Sequence, residues 1–411
     1  MAAIRRTAQA VPELEQKIID AKSASLPRQL KVSREMTAKL FGTPVALTAS
    51  RLDELGNCPL SFFLNYGLKA KARKEASFDA AEYGTFLHYI LEKTVSDITC
   101  QQTPLPLDQA QSQDLVRRYM EPYLQQRLQN MQDLSARDRY LYGRNQQEAS
   151  GLLTEISKEL SVSQFRPCAF ELRFGDGKEL GPLEVQGSLG SGHLDGTVDR
   201  ADLWTGPKGD YLRIVDYKSG TKKFDYTDLT GGVGMQMLLY LFALEQAGIT
   251  DISEHPLPAG VLYFPAKRNI LGSDAPLDES EAEKLRQKEG AKRSGLLLAD
   301  ETVLDAMEQG IAGQYLPVQK KKSGLGDYVV TPEQMEILRE YVKKRMGQAV
   351  DQIVDGKFEP APFYRGQSHD PCRWCDYGDI CQKDEKFRRE HYVPSMKAAD
   401  FWKLIGGDDN G

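Results

Sequence analysis

Two aspartates and a lysine in the stretch GTVDRADLWTGPKGDYLRIVDYKSG, residues 196–220, carry the strongest chemical signal in the chain. The turn formers Gly206-Pro207-Lys208-Gly209-Asp210 divide it into two β-rich arms, the pattern of a hairpin. Pairing the arms symmetrically about Pro207-Lys208 sets Asp199 opposite Asp216. The two-residue period of a strand then puts Lys218 on the same face as Asp216. Two carboxylates held that close repel, and burying them costs several kcal/mol unless a positive charge lies between them. A divalent cation supplies that charge, and hard oxygen ligands suit Mg or Mn, which keep some waters and reach phosphate oxygens. Such an ion polarises a scissile phosphate and acidifies a bound water. The ammonium of Lys218 would orient that water or neutralise charge developing on the phosphoryl oxygens. A water-exposed hairpin bearing the same three charges is the alternative, and spacing alone weighs the two evenly. Ile214 and Val215 favour the first reading, because they mark a buried strand that surfaces at its end, where reactive groups are usually placed.

Sulfur provides a second constellation. Cys372-x2-Cys375-x5-Cys381 is a compact ligand set, and three thiolates need a fourth ligand to hold zinc or an iron-sulfur cluster. His369 is the near candidate and Cys58 the distant one. A His-Cys-Cys-Cys zinc knuckle is complete within the segment, so on spacing zinc leads. Cys100 and Cys168 fall outside the pattern and read as ordinary buried thiols. His88 rides on an apolar helix face, where a histidine is usually a satisfied core residue. Gln236 and Tyr240 stand four apart on one helix face and suit either phosphate contacts or a core hydrogen bond. Glu171, in FELRF, reads equally well as a charge on an edge strand.

Several elements must position these groups. TASRLDELGNCPLSFFLNYGL (48–68) predicts a capped pair of short helices interrupted at Cys58-Pro59. AEYGTFLHYILEKTVSDI (81–98) predicts a helix with Phe86, Leu87, Ile90, Leu91 and Val95 on one face, and 101–165 a helical insertion. Strand patterns follow at 168–175, 183–189, 193–204 and 211–220, then a helix over 234–247 that stops at Gly248, then a strand over 258–266. Residues 267–330 read as irregular cover with one helix near 301–310. Thr331-Pro332-Glu333 opens a well-capped helix to about Asp355. This arrangement leaves a linker or amino-terminal extension over 1–44, one unit over 45–395 with cysteine-bearing segments at 56–62 and 369–383, and a tail over 396–411.

Composition sets outer bounds. With 411 residues, 40% hydrophobic and 27% charged, the chain has the make-up of a soluble globular protein of one large domain with insertions or two domains. No run approaches the roughly 18 apolar residues of a membrane span. The amino end, MAAIRRTAQAVPELEQ, has no apolar stretch after its arginines, so a cytoplasmic location is expected and a disulfide framework is not. A net charge of -6 does not advertise nucleic-acid binding, but basic runs at Lys69–Lys74, Lys222-Lys223 and Lys320–Lys322 leave room for a locally positive groove. No Gly-x4-Gly-Lys-Ser/Thr loop occurs, so any ATP-driven motor is expected to be a partner.

With these motifs in place, the chain resembles the RecB-like branch of the PD-(D/E)XK nucleases over about Leu47 to Tyr392, and within it the nuclease domains of AddB type. Gly196-Thr197-Val198-Asp199-Arg200 matches the Gly-x-x-Asp-Arg motif and Val215-Asp216-Tyr217-Lys218 the Asp-x-Lys motif. Gly84-Thr85-Phe86-Leu87-His88 is similar to the histidine-bearing helix, Gln236 with Tyr240 to the Gln-x3-Tyr helix, and Glu171 to a recurrent glutamate. The resemblance implies a restriction-endonuclease-like α/β fold, a central mixed sheet flanked by helices. It further implies a metal site of His88, Asp199, Asp216 and the carbonyl of Tyr217, with Asp199, Asp216 and Lys218 catalytic. Gln236, Tyr240 and Arg200 are expected to bind DNA or support the site. AddB-type nucleases are similar in carrying one cysteine before the core and three after it, which reverses the order of the two sulfur readings: Cys58, Cys372, Cys375 and Cys381 would hold a 4Fe-4S cluster as a structural staple, with zinc as the alternative. The implied activity is metal-dependent cutting of DNA, on single-stranded ends fed by a helicase motor during break repair. A catalytically silent DNA-binding module and a zinc-stabilised scaffold are the competing classes.

Overall fold

The computed structural model describes residues 31–71, 80–127, 136–218, 220, 223–266, 278, 292–311, 313–319, 324–381 and 383–406. Their centre is an eight-stranded mixed sheet. Its strands are β1 (Val45–Thr48), β2 (Arg166–Phe174), β3 (Leu183–Gln186), β4 (Ser191–Gly206), β5 (Gly209–Lys218), β6 (Leu257–Pro265), β7 (Ser294–Leu298) and β8 (Val329–Val330). The longer helices are α1 (Arg34–Phe41), α2 (Ala49–Asn57), α3 (Ala80–Cys100), α4 (Gln109–Arg127), α5 (Ala136–Ser161), α6 (Gln236–Ala247), α7 (Glu301–Met307), α8 (Pro332–Asp355) and α9 (Ala398–Gly406). Strands run in the order β1-β4-β5-β6-β7-β8, with β2 and β3 also paired to β4.

The long strand β4 organises the sheet. Its first residues lie between β1, parallel, and β3, antiparallel, while the remainder pairs with β2 and β5. The β4–β5 hairpin closes with Gly206 paired to Gly209, and the ladder runs down to Arg200 opposite Val215. This is the register expected from the turn residues. One step further along it sets Asp199 opposite Asp216.

Helices cover both faces. One apolar cluster joins Leu212, Ile214 and Val261 of the sheet to Leu238, Leu241 and Leu244 of α6 and to Leu338, Val342 and Val350 of α8. The other joins Val215, Leu262 and Leu297 to Phe86, Ile90 and Leu91 of α3 and to Leu153 and Ile156 of α5. Helix α6 is buried from Met237 through Leu244, as an apolar helix sandwiched between sheet and α8 must be. Thr331 and Gln334 form a capping box at the start of α8, and Thr48 accepts from the Arg51 N–H at the start of α2.

The structure differs from the sequence expectations at the margins. Part of the stretch read as an extension, 34–41, is helix α1, whose Phe41 stacks on Phe62 with ring centroids 5.2 Å apart. Part of the stretch read as a tail is helix α9, whose buried Phe401 packs against Tyr226. Strands β1, β7 and β8 add to the expected set. They are short, and β7 and β8 lie in the stretch read as irregular cover, because a run of two to five residues carries too few alternations to show a period. Cys100 is exposed, not buried; it ends α3 on the solvent side. Residues 1–30, 72–74 and 320–322, and Lys222, lie outside the described residues, so most of the basic runs do too. Among the described residues, no helix is long and apolar enough to cross a membrane.

Candidate active site and cysteine pocket

The site lies where β4 and β5 part. Asp199 on β4 and Asp216 on β5 stand one residue beyond the last paired residues, Arg200 and Val215, near enough for the Asp216 charge to act on Asp199. The β2–β4 ladder skips one pair between Phe170–Arg200 and Leu172–Val198, and by that register the position opposite Asp199 is Glu171. Three carboxylates therefore stand in a row across adjacent strands. Glu171 has φ 46°, a left-handed backbone that a glutamate adopts only under constraint. The backbone N–H of Tyr217 donates to Asp199 Oδ2 at 3.0 Å, so a carboxylate takes the hydrogen bond that a continued ladder would have made.

Helix α3 brings His88 over this end of the sheet. Its Nε2 donates to the Tyr217 carbonyl at 3.1 Å. Its Nδ1 lies 3.5 Å from both Asp199 Oδ1 and Glu171 Oε1. Burial alone would lower the His88 pKa, but the Glu171 hydrogen bond and the Asp199 charge outweigh it and push it up to about 9. Asp199 is pushed up to about 7, first by burial and then by the Asp216 charge. His88, Glu171 and Asp199 offer ligand atoms all within 4.8 Å of one another.

Asp216 is 2% exposed. Its Oδ2 is 2.9 Å from Lys218 Nζ but out of alignment for a hydrogen bond, and among the described residues it has no other partner. A buried carboxylate oxygen left in that state is costly. His88, Glu171, Asp199 and the Tyr217 carbonyl make a donor set that fits a hard divalent cation, and Asp216 stands beside it, outside the group whose ligand atoms lie within 4.8 Å of one another.

Behind the carboxylates, Gln236 at the start of α6 accepts from Lys218 Nζ at 3.3 Å, and its amide nitrogen lies 3.4 Å from the Tyr240 hydroxyl. Tyr240 is buried, and its ring meets Phe174 edge-on at 5.4 Å. Gly196 makes room for both rings: a Cβ there would stand 2.6 Å from Phe174 and 2.7 Å from Tyr240. Of the two uses open to these side chains, an internal hydrogen-bond chain is the one seen. Arg200 is fully buried. It holds Asp202 with bonds of 2.8 and 3.0 Å and donates to the Tyr217 hydroxyl at 2.9 Å. A side chain with no exposure cannot touch DNA, so of its two expected roles only support remains.

The structure thus brings His88, Asp199, Asp216, Tyr217 and Lys218 together and adds Glu171. The glutamate was legible only as a family resemblance, because one charged residue in a β-rich run has no spacing signature.

At the far end of the α2 segment, Cys58, Cys372, Cys375 and Cys381 line one cavity of about 540 Å³, with Glu54, His369, Asp370 and Tyr377. All four are free thiols. Burial raises the Cys58 and Cys372 thiols, and at Cys372 the Asp370 charge and then the Cys58 sulfur add to it, taking that thiol to about 11. His369 lies 2.8 Å through Nε2 from Asn57 Oδ1 and edge-on to Phe363 at 5.5 Å, so that nitrogen is engaged. The chemistry of this wall, four soft sulfur donors around a cavity, fits a polynuclear cluster or a thiolate metal site.

Comparison with known proteins agrees with this geometry. The family model described as the PD-(D/E)XK nuclease superfamily matches residues 46–382. One subunit of the ATP-dependent helicase/deoxyribonuclease of Clostridium perfringens (strain 13 / Type A) is 32% identical over 398 residues, covering 92% of this chain and 34% of its own. The subunits of the same name from Acetivibrio thermocellus and Anoxybacillus flavithermus are each 31% identical, over 92% and 91% of this chain and 34% and 33% of theirs. The chain spans about a third of the length of these relatives. With the family motifs matched and their side chains meeting at one place in an α/β fold of a central sheet between helices, the chain belongs to the PD-(D/E)XK nuclease superfamily.

Proposed function

We propose that this chain hydrolyses phosphodiester bonds in DNA with the help of Mg or Mn, as the nuclease part of a helicase-nuclease, acting on single-stranded ends during break repair. The observation that carries the reading is the meeting of Asp199 and Asp216 beside Lys218 and His88, with a buried carboxylate oxygen of Asp216 lacking a hydrogen-bond partner. A DNA-binding module or scaffold has no use for such a pair.

His88, Asp199, Asp216 and the Tyr217 carbonyl would hold the ion, with Glu171 within reach of the same position. When bound, the ion supplies Lewis-acid activation of the phosphate and a water of lowered pKa. Lys218, fixed between Asp216 and Gln236, would place its ammonium on the attacking water or on a phosphoryl oxygen. Metal ligands bind in their deprotonated forms, so ion binding at His88 and Asp199 would release protons.

The printed names of the relatives, as subunits of an ATP-dependent helicase/deoxyribonuclease, support a helicase motor as partner. The cysteine wall supports a 4Fe-4S cluster held by Cys58, Cys372, Cys375 and Cys381, with zinc as the alternative. Labelled single-stranded and duplex DNA incubated with the anaerobically purified chain test both parts. The expected results are a brown protein, Mg-dependent cutting of single strands, and loss of cutting with a chelator or with Asp216→Ala. A colourless, zinc-loaded protein that cuts nothing would remove this reading.

A further inference from the structure

Tyr217 gives the site its backbone N–H and carbonyl, and its ring meets His88 edge-on at 6.0 Å; its hydroxyl reaches a buried charge network on the sheet face that α3 and α5 cover. There Asp202 faces Arg213 across the β4–β5 ladder. Asp202 Oδ2 accepts from Arg213 Nη2 at 2.6 Å, and both its oxygens accept from Arg200 at 2.8 and 3.0 Å. Arg200 Nη1 then donates to the Tyr217 hydroxyl at 2.9 Å. All three charged residues are 0% exposed. Arg213 also approaches Glu159 of α5 at 3.9 Å, and Glu159 binds Arg293 at 2.9 Å. The helical insertion is thereby tied to the same group of charges.

The Tyr217 backbone is the hub of the site. Its N–H is bonded to Asp199 Oδ2 and its carbonyl to His88 Nε2. Because β5 ends one residue later and the ladder to β4 has already stopped at Val215, this peptide has no β4 partner to hold its tilt. On its other side β5 stays paired to β6 through Lys218, and the side chain is a second handle, since a tyrosine hydroxyl fixed at its far end by a guanidinium allows little rotation about the Cα.

Resting on the nuclease reading above, we propose that the Tyr217 hydroxyl, anchored on Arg200 and Asp202, is a positioning group that sets the orientation of the Tyr217 peptide and so the spacing between His88 and Asp199 for the cation. Arg200 and Asp202 act through it and touch neither metal nor DNA. Outer partners that orient metal ligands typically change metal affinity on the order of 10–100-fold when removed.

The test is Tyr217→Phe, which removes one oxygen and keeps the ring. Manganous-ion binding is measured by calorimetry and by electron paramagnetic resonance, alongside cutting kinetics and circular dichroism. The expected result is a folded protein whose Mn dissociation constant rises about tenfold or more, with a lower kcat, an unchanged KM for DNA, and partial rescue at high Mn. Arg200→Lys keeps the charge beside Asp202 but shortens the reach to Tyr217, and it should show the same split; it decides the matter if Tyr217→Phe does not fold. Parental Mn affinity in the folded variants overturns the proposal alone. A parent chain that neither binds Mn nor cuts DNA, with Asp216→Asn as the control, overturns the nuclease reading and this proposal with it.

Discussion

At the residue scale, Lys218 is the side chain whose placement bears most on the proposed reaction. An ammonium 2.9 Å from a buried carboxylate would be an ordinary ion pair if nothing else held it. Gln236 holds it from the other side, at 3.3 Å, and Tyr240 lies beside the glutamine amide at 3.4 Å. That chain fixes where the positive charge points, as stabilisation of developing charge requires. Lys218→Ala should lower kcat on the order of 10²–10³-fold with little change in DNA affinity, measured under single-turnover conditions with saturating Mg. Gln236→Ala should lower kcat less and leave KM unchanged. A rise in KM with kcat intact would mean that Gln236 touches DNA instead.

At the scale of elements, β4 and β5 carry opposite chemistries on their two faces, because alternate residues of a strand point opposite ways. Asp199 and Asp216 lie at the proposed ion site, while Asp202 and Arg213 form the buried pair behind it. Burial alone would raise Asp202 and Glu159, but the Arg200 and Arg213 charges beside Asp202, and Arg293 and Arg213 beside Glu159, hold both below the usual carboxylate range. A folded pKa below the unfolded one adds stability above the unfolded value of about 4. That contribution is lost as the pH falls through the folded value. Asp202→Asn should therefore lose roughly 3–5 kcal/mol at neutral pH, the cost of leaving buried guanidinium groups unpaired. It should also show a smaller further loss below about pH 4 than the parent chain, read from urea denaturation at several pH values. Gly196 is the other point where an element depends on one residue. Gly196→Ala would press a methyl group into Phe174 and Tyr240, with an expected cost of about 1–3 kcal/mol and a lower melting temperature.

At the scale of the whole molecule, the cysteine pocket borders the segment that leads into α6. Asp53 of α2 accepts from the Gly234 N–H at 2.8 Å, and a Cβ on Gly56 would stand 2.7 Å from the Gly231 carbonyl. From the carboxyl side, the Phe363 N–H donates to the Asn57 carbonyl at 2.9 Å, and Arg365 binds Asp228 and Asp225 at 2.6 and 2.8 Å. Segments more than 300 residues apart in sequence are clasped around the turn that launches Gln236. Ligands that bind only the folded state add stability by mass action. If the proposed cluster is held, Cys375→Ser should lower the iron content and also the melting temperature by roughly several degrees, while Cys100→Ser, at an exposed helix end, should change neither. Iron analysis and thermal melts of the two variants check this together.

The sequence by itself determined the β4–β5 register, from Gly206–Gly209 to Arg200–Val215, which leads Asp199 and Asp216 to the same end of the hairpin. Turn residues and a two-residue period act locally, over some twenty positions, and leave one pairing that buries Ile214 and Val215. It also determined helices α3, α6 and α8, whose caps and apolar faces are written in single stretches. Tertiary structure alone decided that Glu171 stands beside Asp199 and that His88 leans over the Tyr217 carbonyl, since those contacts join strands and a helix with no shared local pattern. It likewise decided that Arg200 turns inward to a buried carboxylate. An arginine looks the same in a sequence whether it faces phosphate or protein, and only the packing of the opposite sheet face, with Asp202 and Arg213 waiting there, fixes which way it points.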